Sequence, residues 1–544
     1  MNNEHGCAYL ALIPRGFQYS VQESILEQLK DFNVRIEFVA EAIADARTHC
    51  NAIAADLKEK QNHGRNKQGD IEFCCTLPVG STLFEDRMAH VGYLHHRTPI
   101  WLSNGELQGT VWARIETDAP VDLVANQMRI IGPLIALVNV WEGADLSPSQ
   151  TLEEAIQRTR SLVQSHDYPF QSALDLWHEH VKASWRLSGV ELEVISEKIR
   201  GDQQMKYRLS CVRADSEKYT YSRQQYLAQA ADIVTPSALG NAWKVDLSDY
   251  DVEVVLLVQS HALAIGLALR PYKQLKSRSF SAGNIPLDTS QPHLESELLS
   301  SVIRLRPSTA QILLYLADLE QGDIVLDPCS GAGTIPVEAM LHKPVLAIGG
   351  DLALTPDGLA PLAAGYCQRA RTVKRKTTRD ASCMDQVAWD STRLPMRDAC
   401  VDAIVSDLPF GKQCLSRAKL DQILPLIFAE MARVLRPTTG RMVLLCGNFY
   451  QAVKFLKALN NINHEFSSSP SSEVVMQMPC DSIFPVSIGG LLAWVIVAKR
   501  GSAAAREIPN HRQRVKALTG KRERVAKQRS NTPGKKKRNI LQTG

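Results

Sequence analysis

The chain has 544 residues, 44% of them hydrophobic and 22% charged, a composition that excludes a disordered or fibrous protein and leaves room for several domains. Its formal charge of +4 hides an asymmetry: residues 501–544 hold 13 Lys/Arg and 2 Asp/Glu, so the preceding 500 carry 49 basic against 56 acidic side chains, a net of −7. Twelve scattered cysteines without a C-x-x-C pair speak against a disulfide framework and against a bound metal. The longest apolar run near the end, Leu491 to Ala498, is far short of the roughly 18 residues that span a bilayer. With no secretory pattern at the N-terminus, the expectation is a soluble cytoplasmic protein with no membrane partner.

In chain order, Cys7 to Ile13 reads as a strand broken at Pro14-Arg15-Gly16. Phe17, Val21, Ile25 and Leu29 follow at helical spacing, then Val34 to Val39 as a second strand. Residues 55–70 read as a surface loop within an insertion near 55–110. Val111 to Ile115, Leu134 to Val140 and a helix from Ser147 to Gln164 complete a first α+β unit, residues 1–165, which carries no catalytic constellation.

The second α+β unit, residues 166–272, has a strand at Tyr207–Val212, a helix at Ser222–Ile233, a short strand at Trp243–Leu247, and an apolar hairpin, Asp251–Gln259 and Ala262–Leu269, turning at Ser260-His261. Arg208, Arg213, Lys218 and Arg223 cluster with Tyr219 and Tyr221, residue types that meet phosphates and stack on bases; a solvated charged face is the alternative. Residues 273–307 form a basic linker with Lys273, Lys276 and Arg278. A helix capped by Ser308 then runs through Ala317.

From Ile324 strands alternate with helices, which predicts a parallel, doubly wound α/β domain over residues 308–500. Ile324-Val325-Leu326 ends in Asp327-Pro328, and the small-residue turn Cys329-Ser330-Gly331-Ala332-Gly333-Thr334 leads into a helix. Such a turn lets a ligand reach the backbone at a strand's carboxyl end. The second strand, Val345 to Ile348, delivers Asp351, 24 residues after Asp327 and placed to accept from ribose hydroxyls; a nicotinamide enzyme would use the same device. The turn lacks both G-x-G-x-x-G and G-x-x-x-x-G-K-[ST], so an adenosine cofactor without phosphates, S-adenosylmethionine, fits better. Asp390, closing the third strand, is placed for the adenine amino group. Val401 to Ser406 delivers Asp407-Leu408-Pro409-Phe410 to the same edge. Carboxylate and carbonyl acceptors there orient an amine, and Phe410 offers a stacking face for an extruded base.

Asp327-Pro328-Cys329-Ser330-Gly331-Ala332-Gly333-Thr334, Val387-Ala388-Trp389-Asp390 and Ser406-Asp407-Leu408-Pro409-Phe410-Gly411-Lys412 resemble the motifs of the THUMP-domain tRNA guanine-N2-methyltransferases. Pro437-Thr438-Thr439-Gly440-Arg441, Ile488-Gly489-Gly490-Leu491, the Ile265-Gly266-Leu267-Ala268-Leu269 strand and the Ile13-Pro14-Arg15-Gly16-Phe17 turn fit the same family. The resemblance implies a ferredoxin-like N-terminal region, a THUMP RNA-binding domain and a Rossmann-like seven-stranded class I methyltransferase domain. It implies transfer from S-adenosylmethionine to N2 of a guanosine in the tRNA acceptor stem, at position 6 or the neighbouring position 7. A small zinc-containing activator subunit would be a partner besides tRNA. Asp407, the Leu408 carbonyl, Pro409 and Phe410 would form the catalytic turn; Asp327, Pro328, Gly331, Gly333, Thr334, Asp351 and Asp390 would line the cofactor site. The chain departs from the family in Cys329-Ser330 for Met-Cys, Ala332 for Thr, Leu354-Thr355-Pro356 for Asn-Pro, and Asp-Leu-Pro-Phe for Asn-Pro-Pro-Phe.

Residues 501–544 read as a basic disordered tail, whose Lys535-Lys536-Lys537-Arg538 suits a nuclear import signal or an RNA-binding arm. Two rival functions stand beside the first: methylation of another amine, such as adenine N6 or a glutamine side chain, and non-catalytic tRNA binding.

Overall fold

The structure, a computed structural model, describes residues 7–39, 110–124, 134–142, 151–164, 170–188, 206–213, 219–235, 243–269, 305–371, 383–410, 417–447, 451, 476–477 and 483–500, apart from a few positions inside these ranges. The insertion near 55–110, Lys218, Ser260-His261, nearly all of the 273–307 linker (Lys273, Lys276 and Arg278 included) and the basic tail lie outside the described residues.

The N-terminal half is built on β1 (Cys7–Pro14), α1 (Gln18–Gln28), β2 (Val34–Val39), β3 (Thr110–Thr117), β4 (Leu134–Glu142), α2 (Leu152–Gln164), α3 (Phe170–Ser188), β5 (Lys206–Arg213), α4 (Arg223–Val234), β6 (Lys244–Val245), β7 (Val252–Val258) and β8 (Ala262–Ala268). The eight strands make one sheet in the order β2-β3-β1-β4-β8-β7-β5-β6. The two α+β units are therefore joined by backbone pairing: β4 runs antiparallel to β8, from Ile135 opposite Ala268 to Glu142 opposite Ala262. Along β1, Tyr9, Ala11 and Ile13 face one apolar cluster with Phe17, Val21 and Ile25 of the α1 region. Leu10 and Leu12 face a second with Trp112, Ile135, Val255 and Leu257, as the period of two requires. Burial on both faces explains why β7 and β8 read as unbroken apolar runs.

Two helix starts differ from the expectations, and one helix is new. α2 begins at Leu152, not Ser147, because Thr151 and Glu154 cap each other: Thr151 N donates to Glu154 Oε2 at 2.9 Å and Glu154 N to Thr151 Oγ1 at 3.3 Å. α3 was not anticipated; it buries Ala173, Leu176, Trp177 and His180 along one face. The next helix, α5 (Pro307–Leu316), is capped by Arg306, not Ser308. Pro307 takes the first helical position, where its fixed φ suits and its missing N–H costs nothing.

The second half continues with β9 (Ile324–Asp327), α6 (Thr334–His342), β10 (Leu346–Asp351), β11 (Cys383–Ala388), β12 (Ala403–Asp407), α7 (Arg417–Val434), β13 (Arg441–Cys446), β14 (Met476–Gln477), β15 (Ile483–Ile488) and β16 (Leu491–Arg500). The strand order is β11-β10-β9-β12-β13-β16, with β14 and β15 both paired to the outer edge of β16. β9 to β13 are parallel and β16 antiparallel. Seven positions in the order 3-2-1-4-5-7-6 make this Rossmann-like: the strand–helix alternation announced the parallel α/β domain, and the resemblance implied the seven-stranded methyltransferase arrangement. The order reverses between β9 and β12, so their carboxyl ends open the crevice where such sheets bind ligands.

The two halves touch. Ser487 N donates to the Arg15 carbonyl at 2.8 Å, and Tyr315 Oη of α5 donates to Glu27 Oε2 of α1 at 3.3 Å.

Candidate active site

β9 ends at Asp327, and the turn beyond it needs two glycines in the left-handed region, Gly331 at φ 53° and Gly333 at φ 87°. A β-carbon at Gly333 would sit 1.5 Å from Gln386 Nε2, so the backbone there lies directly against that amide. Both polar atoms of the Gln386 amide are buried without a hydrogen-bond partner. A cleft of about 590 Å³ opens beside β11, bordered by Leu354, Ala363, Arg371, Gln386 and Ala388.

Asp351, at the end of β10, accepts from Gly331 N (3.0 Å, Oδ2) and Ala353 N (2.9 Å, Oδ1). It therefore braces the glycine turn. Asp390 lies two residues past β11, exposed, with Oδ1 accepting from Thr392 N (2.9 Å) and Thr392 Oγ1 (2.8 Å). Those bonds hold its carboxyl below the usual range. Thr334 opens α6 and is 7% exposed. Pro328 is gripped through its carbonyl, which accepts from Trp389 Nε1 at 3.1 Å and Ser391 Oγ at 2.5 Å.

Asp407 ends β12. Asp327 Oδ1 accepts from Ser406 Oγ at 2.7 Å and from Cys329 N at 3.2 Å, whereas Asp407 Oδ1 is buried with no hydrogen-bond partner. Burial pushes Asp327 up to about 8; its two bonds oppose the rise, and the nearby Asp407 and Asp351 charges add to it. Burial pushes Asp407 up to about 7. Among the described residues no lysine or arginine pairs with any of these three acids. Unpaired buried carboxylates call for a cation or hydrogen-bond donors.

Beyond Asp407 the chain turns sharply. Leu408 is 1% exposed, buried among Leu420, Leu424 and Phe428, and its N–H donates to the Leu445 carbonyl at 3.0 Å. The Pro409 carbonyl accepts from Gln451 Nε2 at 2.8 Å. Among the described residues no donor meets the Leu408 carbonyl. Phe410 lies against Gly447, where a β-carbon would come within 2.3 Å of the ring.

Two of the basic residues singled out in the N-terminal half, Arg208 and Arg213, have partners within the chain. Arg208 Nε donates to Ser210 Oγ at 3.0 Å and lies 3.7 Å from the buried Glu253 carboxylate. Arg213 donates to the Tyr221 carbonyl at 2.7 Å and lies 4.7 Å from the Tyr219 ring centroid. Arg223 opens α4.

Residues 302–352 and 362–467 match the family described as RMKL-like, methyltransferase domain. The matched residues hold β9 to β13 and the turns between them, so it is the site-bearing part of the sheet that is similar to that domain. The human tRNA (guanine(6)-N(2))-methyltransferase THUMP3 is 31% identical over 301 residues, 55% of this chain and 52% of the relative. Mouse U6 snRNA (guanine-N(2))-methyltransferase THUMPD2 is 31% identical over 209 residues, 37% of this chain and 32% of the relative. The chain spans about half the length of the THUMP3 relatives it matches. The crystal structure of TrmN from Thermus thermophilus covers 91% of this chain and 99% of its own at 15% identity, with a TM-score of 0.46.

A methyltransferase domain of the kind this stretch is similar to would take S-adenosylmethionine, the cofactor the resemblance implies. The residues present fit it: a cradle closed to any β-carbon at Gly333, and buried acids without a basic partner facing a molecule that carries a sulfonium and an ammonium. Gly331 and Gly333 would border its methionine part, Asp351 its ribose and Asp390 its adenine. The sequence marks Trp389 only as part of a motif and Ser391 and Gln451 not at all, because nothing local shows what they bond to.

Proposed function

We propose that the chain transfers a methyl group to the exocyclic N2 amine of guanosine in RNA, with tRNA as substrate and the acceptor stem, at position 6 or the neighbouring position 7, as the site. The observation that carries this reading is the buried, unpartnered Asp407 Oδ1 next to a Leu408 carbonyl that no described donor meets. Two acceptors match the two hydrogens of a primary amine and leave its lone pair free. The names of the THUMP3 and THUMPD2 relatives agree on the amine and differ on the RNA.

S-adenosylmethionine supplies an electrophilic methyl when bound. Asp407 and the Leu408 carbonyl orient the amine, and Phe410 carries the base plane. As the N–C bond forms, the nitrogen gives up one proton, and Asp407, with its pKa near neutrality, is matched to take it and pass it to solvent. Positioning contributes the larger share. Arg213 and Arg223, with Lys218, Lys273, Lys276 and Arg278, would guide the RNA backbone as a THUMP-type unit; Arg208, held by Glu253, would do so least. A small zinc-containing activator subunit as partner, and a cytoplasmic place with nuclear entry through the tail, complete the proposal.

The test is incubation of the protein, alone and with the activator, with labelled S-adenosylmethionine and unmodified transcripts of tRNA and, separately, of U6 snRNA, followed by nucleoside analysis. Labelled N2-methylguanosine in the acceptor stem supports the reading. Label in U6 snRNA alone moves the substrate; label on adenine overturns the base.

A further inference from the structure

Gln451 is 2% exposed and reaches back 42 residues to the turn after β12. Its Oε1 accepts from Gly447 N at 2.7 Å, just beyond β13. Its Nε2 donates to the Pro409 carbonyl at 2.8 Å, just beyond β12. Gly447 in turn is the surface on which the Phe410 ring rests, with no room for a β-carbon between them. One side-chain amide thus fixes both the carbonyl before Phe410 and the backbone beneath the ring.

The consequence concerns acceptors. The turn after β12 offers the Asp407 carboxylate, the Leu408 carbonyl and the Pro409 carbonyl. Gln451 occupies the last, which leaves the first two for a substrate amine. Without it the Pro409 carbonyl would be a buried acceptor lacking a donor. The turn could then rotate to offer that oxygen to the amine in place of Leu408, moving the nitrogen off line.

We propose that Gln451 is the positioning residue of the acceptor turn, selecting the Asp407 and Leu408 oxygens as the pair that holds a two-hydrogen amine. This rests on the methyl-transfer reading. The role needs an amide: one end must accept, the other must donate. Leucine does neither, and an ionised glutamate accepts at both ends.

The experiment compares the full chain with Gln451→Leu and Gln451→Glu, using unmodified tRNA transcript as methyl acceptor and S-adenosylmethionine titrated by calorimetry. In Gln451→Leu, kcat is expected to fall about 100-fold, the effect of misplacing a reacting atom by about 1 Å. Cofactor affinity should stay within about twofold, since separate sites act independently and the cofactor residues lie at or just beyond the ends of β9, β10 and β11. Hydrogen exchange should quicken at the Leu408 and Phe410 amides. Gln451→Glu is expected to be most impaired at pH 8.5 and to recover relative to the unaltered chain towards pH 6, where the protonated carboxyl can donate to Pro409 again. Unchanged kcat and exchange in Gln451→Leu would overturn the proposal. So would equal losses of cofactor affinity, melting temperature and kcat, which mark a mere staple. If the unaltered chain transfers no methyl, the functional reading fails, and the exchange comparison still decides the role of Gln451.

Discussion

Trp389 occupies the space that a side chain at Gly350 would need: a β-carbon there would lie 1.8 Å from indole Cε2. The same indole donates to the Pro328 carbonyl at 3.1 Å. One ring therefore locks the ends of β9, β10 and β11, the three strands that carry the cofactor residues.

Gly350→Ala should destabilise the chain by about 1–3 kcal/mol, the usual cost of overpacking a filled site, and weaken S-adenosylmethionine binding. Trp389→Phe keeps most of the packing but loses the donor, for about 1 kcal/mol. Chemical denaturation with cofactor titration checks both. A neutral Gly350→Ala would mean that the indole has another place to go.

Gly333→Ala meets two obstacles, a φ of 87° and Gln386 Nε2 at 1.5 Å from the added carbon. The left-handed backbone alone costs about 1–2 kcal/mol. Cofactor affinity should fall more than stability does, since the turn can relax away from Gln386 only by leaving the cofactor site. Calorimetry and thermal melting, read together, separate the two.

Asp327 and Asp407 set a pH dependence whose sign is fixed by their raised values, about 8 and about 7. Folding keeps protons on these acids that the unfolded chain, with ordinary carboxylates, has released. Their contribution to stability is complete below about pH 4 and is lost as pH rises through about 7 to 8. Asp407→Asn should flatten the decline in denaturation midpoint between pH 5 and pH 8.5. Binding of the cationic cofactor should release protons near pH 6.5, seen as a binding enthalpy that changes with buffer. A steeper decline in Asp407→Asn would refute the assignment.

Methyl transfer should follow the opposite course. Its rate should rise with pH to a plateau above about 7, because the ionised Asp407 is the form that accepts from the amine. Asp407→Asn should cost about 10²–10⁴-fold in kcat, the range for a lost general base, and remove that limb of the profile. Single-turnover measurements across pH provide the check.

Leu408→Pro would put two prolines in a row after Asp407. It removes the bond from Leu408 N to the Leu445 carbonyl at 3.0 Å and takes a side chain out of the Leu420 and Phe428 cluster. A loss of about 2–5 kcal/mol is expected, that of a truncated core leucine. Equilibrium unfolding tests it.

The parts of the site that the sequence made legible are those whose chemistry is local. A glycine turn after β9 and acids at the ends of β9, β10 and β12 announce themselves, since backbone freedom and strand ends are properties of short stretches. Helix starts were legible only where one signal acted alone: Ser308 is a good cap by type, but Pro307 beside it claimed the first helical position. Arg208 and Arg213 looked available for phosphate, and the fold supplied Glu253 and the Tyr219–Tyr221 pair as partners. Gln451 gave no hint, because an amide's meaning lies in what it bridges. The pairing of β4 with β8 joins residues over a hundred positions apart, and periodicity carries no record of that.

That pairing has a consequence for anyone who would divide this protein. A cut between Gln164 and Phe170 severs the chain but not the sheet, so the fragments would each carry a bare strand edge, β4 on one and β8 on the other. Such edges seek strands from other chains. Expressed separately, the pieces should cling or precipitate; expressed together, they should find each other and rebuild the eight strands.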